Sequence, residues 1–298
     1  MHRLDPTEYH VPVMAQECLH YLNVRADGTY CDGTLGGGGH TGLILARLGE
    51  GGRLFSFDAD EVAIHHCEQR FGVKAGDRSK QPILIHSNFE HMAEVMRMEG
   101  QVDGILLDLG VSSYQFDHHE RGFSYRADAP LDMRFTASGP TAADILNERS
   151  EQEIAKIFYD YGEDPQARRI AAAIVNRRNL APFRTTIDLR NVVVTVVPPQ
   201  HQPRSMSRIF QALRIAVNNE LVRLEATLAS MIPLLAPDGR IVVMSYHSLE
   251  DRIVKNVFRD HSAELTLLTK KAVEPQPHEV QTNPRSRSAK LRAAARLL

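Results

Sequence analysis

Apolar residues follow two rhythms along this chain. In the first third they come as short unbroken runs: Thr29-Tyr30-Cys31-Asp32, Arg53-Leu54-Phe55-Ser56-Phe57-Asp58, residues 82–86, and Val102-Asp103-Gly104-Ile105-Leu106-Leu107-Asp108. Helical stretches separate them, one of which continues through residues 43–48 after a cluster of glycines. Runs of this length predict strands buried on both faces, hence a parallel sheet between helices. The expected class is a doubly wound α/β domain. A fifth run at 240–245 follows the turn residues Pro237-Asp238-Gly239. Residues 264–270 and 289–296 are expected to close the sheet as a strand pair, although the second has a helix-forming composition.

From about 117 to 206 the alternation stops. Residues 141–147, 151–159 and 165–178 have helical patterning, and Ser150 precedes an acidic first turn. The one strand signal there is residues 192–197. Residues 117–206 therefore form an expected helical insert within a domain made of 1–116 and 207–298. Beyond it Ile209, Phe210, Leu213, Val217, Leu221, Leu224, Leu228 and Met231 recur at three- and four-residue steps, predicting one long amphipathic helix. A further helix at 249–259 has Ser248 as its expected N-cap, with Asp251 completing a capping-box variant.

Composition narrows the setting. A chain of 298 residues suits one or two domains, and 43% hydrophobic content supports a real core. No apolar run is long enough to span a bilayer and no secretory pattern opens the chain, so a cytoplasmic protein is expected. Cys18, Cys31 and Cys67 make no CxxC pair and indicate neither zinc nor a disulfide framework. Asp117-His118-His119-Glu120 resembles a metal cluster, but adjacent loop residues rarely converge on one ion, and no metal is expected. The net charge of −2 lends no bulk support to nucleic-acid binding, yet residues 284–292 carry cations without an acid.

The glycines lie in Asp32-Gly33-Thr34-Leu35-Gly36-Gly37-Gly38-Gly39-His40-Thr41-Gly42. Gly37 to Gly42 formally match a dinucleotide fingerprint, which alone is a weak signal. Asp32 ends the preceding strand, close to where a pyrophosphate would lie, at a repulsion of about 1 to 4 kcal/mol near 4 Å. S-adenosylmethionine (AdoMet) has no phosphate. It carries an ammonium, a sulfonium and ribose hydroxyls, all of which suit carboxylates. Asp58 and Asp108 end two further strands, so the acids line the carboxyl edge where open α/β sheets bind ligands. An NAD(P)-dependent oxidoreductase is the competing enzyme reading. A second competitor is an RNA-binding assembly factor that holds AdoMet without turnover.

Asp108-Leu109-Gly110-Val111-Ser112-Ser113-Tyr114-Gln115 follows the fourth strand and Ser245-Tyr246-His247-Ser248-Leu249-Glu250-Asp251 the fifth. Together with His10-Val11-Pro12-Val13-Met14, Arg121-Gly122-Phe123, Pro130-Leu131-Asp132-Met133-Arg134, Tyr161-Gly162-Glu163, residues 210–218 with Glu220, and residues 283–292, they carry a resemblance over essentially the whole chain. The chain resembles the bacterial 16S rRNA cytosine-N4 methyltransferases, the MraW or RsmH family. Tyr114 and the turn at 237–239 depart from the usual pattern. The resemblance implies a class I AdoMet methyltransferase domain split by a helical substrate-recognition insert. It implies methyl transfer to the exocyclic N4 of a decoding-centre cytidine in 16S rRNA, within the small ribosomal subunit. Cofactor contacts then fall on Gly38, Gly39, His40, Asp58, Phe89, Asp108 and Gln115, with Asp32 added from its strand-end position. Asp108 is expected to hold N4. Ser112, Ser113, Tyr246 and His247 are candidate base contacts, with Tyr246 able to stack on an extruded base. No membrane partner is implied; the oligomeric state is left open, a homodimer among the options.

Overall fold

The computed structural model of the chain describes residues 12–73, 81–109, 121–135 and 138–298. Its elements begin with α1 (Ala15–Leu22), β1 (Thr29–Asp32), α2 (Gly39–Leu45), β2 (Arg53–Asp58), α3 (Glu61–Phe71), β3 (Ile83–His86), α4 (Met92–Glu99) and β4 (Val102–Asp108). Five helices follow: α5 (Ala142–Glu148), α6 (Glu151–Asp160), α7 (Ala167–Arg178), α8 (Thr186–Val196) and α9 (Gln202–Asn218). The chain closes with α10 (Glu220–Met231), β5 (Leu235–Ser245), α11 (Ser248–Asp260), β6 (Leu265–Leu267), α12 (Pro277–Thr282) and β7 (Lys290–Arg296). Two compact units result, Met1–Ser113 with Leu221–Leu298, and Tyr114–Glu220.

In the first unit the described strands form one seven-stranded sheet, ordered β3-β2-β1-β4-β5-β7-β6. The neighbours from β3 through β5 are parallel, and β7 runs antiparallel to both β5 and β6. This is the class I methyltransferase arrangement. Alternate side chains sort to opposite faces, as the pleat requires. Ile241 and Val243 enter one core with Ile105 and Leu107, while Val242 and Met244 enter the other with Leu106. The expected closing strand pair forms, shortened to β6 and β7. Ala293, Ala294 and Ala295 are buried there despite their helical preference, because small side chains suit a strand covered on both faces. At Asp238 (φ 58) the chain bulges, and the β4–β5 register shifts between Val102 and Gly104.

The second unit has a separate helical core built from Ile154, Phe158, Ile170, Ile174, Leu189, Val193 and Leu213 among others. Here the structure changes two expectations. Residues 192–197 lie in and just beyond α8, whose start is held by Asp188 accepting the Thr185 N–H at 3.0 Å. Leu189, Val192 and Val193 are buried at helical spacing, so β-branched residues here follow packing over propensity. The single helix expected across 209–231 is two helices, α9 and α10, separated at Asn219 in the left-handed region (φ 50). Ile209, Phe210, Ala212 and Leu213 pack in the helical core, so residues 207–218 group with the insert and not with the sheet domain. The apolar spacing runs on across the break, which is why the pattern hides it.

Asn218 lies at the end of α9, beside that break. Its Oδ1 accepts the Phe135 N–H at 2.8 Å, and its Nδ2 donates to the Met133 and Arg214 carbonyls at 2.8 and 2.9 Å. Arg214 forks onto Glu220 through two hydrogen bonds of 2.8 and 2.9 Å, spanning the break.

Candidate active site at the carboxyl edge

The strand order reverses between β1 and β4, the topological switch point at which such sheets bind ligands. Asp32 and Asp108 end those two strands, and Asp58 ends β2 beside them. The glycine loop lies across the switch point, with the Gly33 N–H donating to the Leu106 carbonyl at 2.9 Å. A Cβ on Gly33 would sit 2.4 Å from Leu107 Cδ2 and 2.7 Å from Met92 Sδ, so a side chain there would displace both. Gly38 caps α2 with φ 76, and a Cβ there would meet the Phe71 ring at 2.8 Å. Gly39 begins α2 against the Pro12 ring. The first-turn amides of α2 have no intrahelical acceptor, as at any helix start.

The three carboxylates divide the work. Asp32 is 1% exposed, its carboxylate turned in beneath the glycine loop. Its Oδ1 accepts from the Thr34 N–H at 3.0 Å and its Oδ2 from the Thr41 hydroxyl at 2.7 Å. Ser56 then donates to Thr41 at 2.9 Å, since the Thr41 hydrogen is already committed. Asp32 thus shapes the glycine loop from below. Burial pushes its carboxyl pKa up, and the Thr41 hydrogen bond and the charge of His40 oppose that rise.

Asp58 remains partly accessible. One oxygen accepts from the Gly36 N–H at 2.8 Å and the other from the Asp60 N–H at 2.8 Å. Burial pushes its pKa up to about 6 against those two donors. Each oxygen keeps a lone pair, so added hydroxyl or ammonium donors would stabilise a carboxylate that the fold strains. Phe89 begins the turn after β3 and packs behind the loop, its Cβ 3.3 Å from where a Gly33 side chain would start.

Asp108 is partly open, with a side chain 24% exposed. The Tyr246 hydroxyl donates to its Oδ1 at 2.7 Å. His40 Nε2, sealed from solvent, faces its Oδ2 at 3.6 Å, longer than a hydrogen bond. The Asp108 N–H donates to the Thr34 hydroxyl at 2.7 Å, joining it to the Asp32 loop. Burial pulls the His40 pKa down, but Asp108 and Asp32 outweigh it and leave it raised. Burial first, and then the Asp108 charge, push the Tyr246 phenol well above its usual value. The Tyr246 ring packs on the core around Met14, Cys18 and Met244. That placement gives Tyr246 a hold on Asp108.

His247 is the N-cap of α11, not Ser248. Its Nδ1 accepts the Glu250 N–H at 3.4 Å, and its Nε2 lies 3.0 Å from Glu250 Oε1. Buried Glu250 returns the contact by accepting the Tyr246 N–H at 2.9 Å. His247 Nδ1 therefore serves the helix start, while Nε2 is sealed from solvent beside the Glu250 carboxylate. Ser112, Ser113, Tyr114, Gln115 and the 117–120 cluster lie outside the described residues. Thr34, Thr41, Ser56 and Glu250 are site residues that sequence reading passed over. The threonines stood inside the glycine motif, but nothing in their spacing marked which would bond to Asp32.

The donor set fits AdoMet: two accessible carboxylates, an apolar wall at Phe89 and a glycine cradle offer acceptors for cationic and hydroxyl groups. A pyrophosphate would meet like charge along the same edge.

Comparison with known proteins agrees over the full length. The family model described as the MraW methylase family matches residues 7–297. A protein of Heliobacterium mobile named ribosomal RNA small subunit methyltransferase H is 44% identical, covering 97% of this chain and 99% of that protein. One of Acidobacterium capsulatum with the same name is 45% identical, covering 96% and 98%. With the switch-point geometry and the full-length match in hand, the chain belongs to the MraW methylase family and is an AdoMet-dependent methyltransferase.

Proposed function

We propose that this enzyme methylates small-subunit ribosomal RNA, as its relatives' names say of them, and that the acceptor is the exocyclic N4 of a cytidine in the decoding centre of 16S rRNA. The observation that carries the acceptor chemistry is Asp108, a partly exposed carboxylate with one oxygen gripped by Tyr246. AdoMet, when bound, supplies an electrophilic methyl group on a sulfonium.

An exocyclic amine on a pyrimidine is a poor nucleophile because its lone pair is delocalised into the ring. It reacts when acceptors hold its hydrogens and orient the lone pair. Asp108 retains lone pairs for that purpose beyond the one engaged by Tyr246. Fixing one oxygen sets the plane of the carboxylate and aims the other. Once nitrogen carries the methyl it is acidic, so Asp108 or water takes the proton without a strong base. The cytidine must leave its stack to reach this edge, at about a few kcal/mol. The helical unit recognises the RNA around it, and the enzyme works in the cytoplasm where ribosomal subunits are built.

The test is tritium transfer from labelled AdoMet to 16S rRNA and to 30S particles, with nucleoside analysis of the product. N4-methylcytidine is expected, and Asp108→Ala should abolish it while leaving the fold intact. Label in another nucleoside would overturn the acceptor. No label on any substrate would leave only a binding role.

A further inference from the structure

Between β6 and β7 the chain makes an excursion, residues 268–289, before β7 enters the sheet. Its position follows from the register. Lys290, the first residue of β7, pairs with Ser245, the last of β5. The next residue, Tyr246, holds Asp108. The excursion therefore lies at the carboxyl edge with the active site, and the charge of its Glu279 bears on His40.

It is also firmly fixed. Val273 and Leu291 exchange two backbone hydrogen bonds of 2.9 Å. The Ala293 N–H donates to the Thr269 hydroxyl at 3.0 Å. Glu279 accepts the Met14 N–H at 2.7 Å across 265 residues of sequence, tying α12 to the segment that packs on the glycine loop. Ser286 is wholly buried, with Arg285 and Arg287 exposed on either side of it. Lys270 and Lys271 are exposed at the other end.

The charge is uneven. The chain as a whole carries 35 Lys and Arg against 37 Asp and Glu. This excursion carries Lys270, Lys271, Arg285 and Arg287 against Glu274 and Glu279, and Glu279 is turned onto Met14. Arg292, by contrast, lies inside β7 and forks onto Asp251 at 2.6 and 3.1 Å. The stretch that reads as one basic tail in sequence thus divides by exposure, with Arg285 and Arg287 exposed and the Arg292 side chain 12% exposed.

We propose that the excursion is a phosphate-binding ledge of the catalytic unit, on which Arg285 and Arg287, with Lys270 and Lys271, take the backbone of the RNA strand that carries the target base. Guanidinium forks suit phosphate oxygens, and the rigid anchoring sets the strand at a fixed distance from Asp108. The proposal rests on the rRNA reading above.

The test is binding to naked 16S rRNA across a salt series, for the wild type, R285Q/R287Q, the same pair with K270Q/K271Q, and R292Q. Removing one cation from a phosphate should lower the slope of log affinity against log salt by about 0.7 to 0.9. R285Q/R287Q should show about twice that fall, and the fourfold variant more. AdoMet affinity by calorimetry should be unchanged in R285Q/R287Q, and R285K/R287K should restore the slope. R292Q should keep the wild-type slope and lower Tm, through loss of its Asp251 pair. An unchanged slope in the fourfold variant overturns the ledge. A fall in AdoMet affinity in R285Q/R287Q overturns it too, because the segment would then act by supporting the cofactor site. If the wild type itself does not bind 16S rRNA, the rRNA reading falls as well.

Discussion

Tyr246 donates its phenolic hydrogen to Oδ1 of Asp108 at 2.7 Å, joining the ends of two adjacent parallel strands. The donor is held in turn, since its backbone N–H is accepted by buried Glu250. A hydrogen bond to a charged group is worth about 1.5–3 kcal/mol. Tyr246→Phe should therefore lower kcat about 10- to 100-fold with AdoMet affinity nearly unchanged. Steady-state kinetics beside calorimetry separates the two, and a matched fall in both would assign Tyr246 to cofactor binding.

The pH dependence of cofactor binding should report Asp58. Its pKa is pushed up to about 6 by burial, and the cofactor needs the charged form as acceptor. Affinity should be flat above about pH 7 and fall up to tenfold per pH unit below 6. The linkage to folding has the opposite sign. The folded protein binds this proton more tightly than the unfolded chain, so the contribution to stability is full below the unfolded value and is lost as pH rises through about 6. Calorimetric titration from pH 5 to 8 checks the first part. A profile independent of pH would remove Asp58 from the cofactor site.

Gly38→Ala combines a left-handed backbone (φ 76) with a Cβ 2.8 Å from the Phe71 ring. The expected destabilisation is about 1–3 kcal/mol, together with weaker AdoMet binding because the start of α2 must shift. Thermal unfolding with and without AdoMet measures both effects. A wild-type Tm would show that the loop relaxes without strain.

Asn218→Ala should unfold the helical unit more readily. The change leaves the Phe135 N–H and the Met133 carbonyl unpaired, at roughly 2–4 kcal/mol for two buried groups. Asn218→Asp should be nearly as harmful, since a carboxylate cannot donate to Met133. Denaturant titration followed by near-ultraviolet dichroism would register the loss; a midpoint equal to that of the wild type would mean the strap repacks.

Much of the sheet was legible because its strands are buried on both faces, and burial on both faces writes an unbroken apolar run. The acids at the ends of β1, β2 and β4 were legible for the same reason, as the charged residue that closes each run. Which way each acid turns was not legible. Asp32 and Asp108 occupy equivalent strand ends, yet Thr41 and Thr34 draw Asp32 inward, while Tyr246 and His40 leave Asp108 partly open. His247 was picked out for chemistry because of its type and its motif; its capping contact with Glu250 depends on the backbone angle at the start of α11.

By itself, the sequence determined the α/β class, the helical insert, the glycine loop and the row of acids, because each is written in local periodicity or in residue type at a strand end. Tertiary structure decided the break at Asn219, the inward turn of Asp32, the grip of Tyr246 on Asp108, and the tie between Met14 and Glu279. It also separated Arg292, whose side chain is 12% exposed inside β7, from Arg285 and Arg287, which are exposed. The physical reason is common to all of these. Periodicity records that a side chain is buried or exposed, but a hydrogen bond is chosen by whichever partner the fold brings within about 3 Å, and those partners lie far away along the chain.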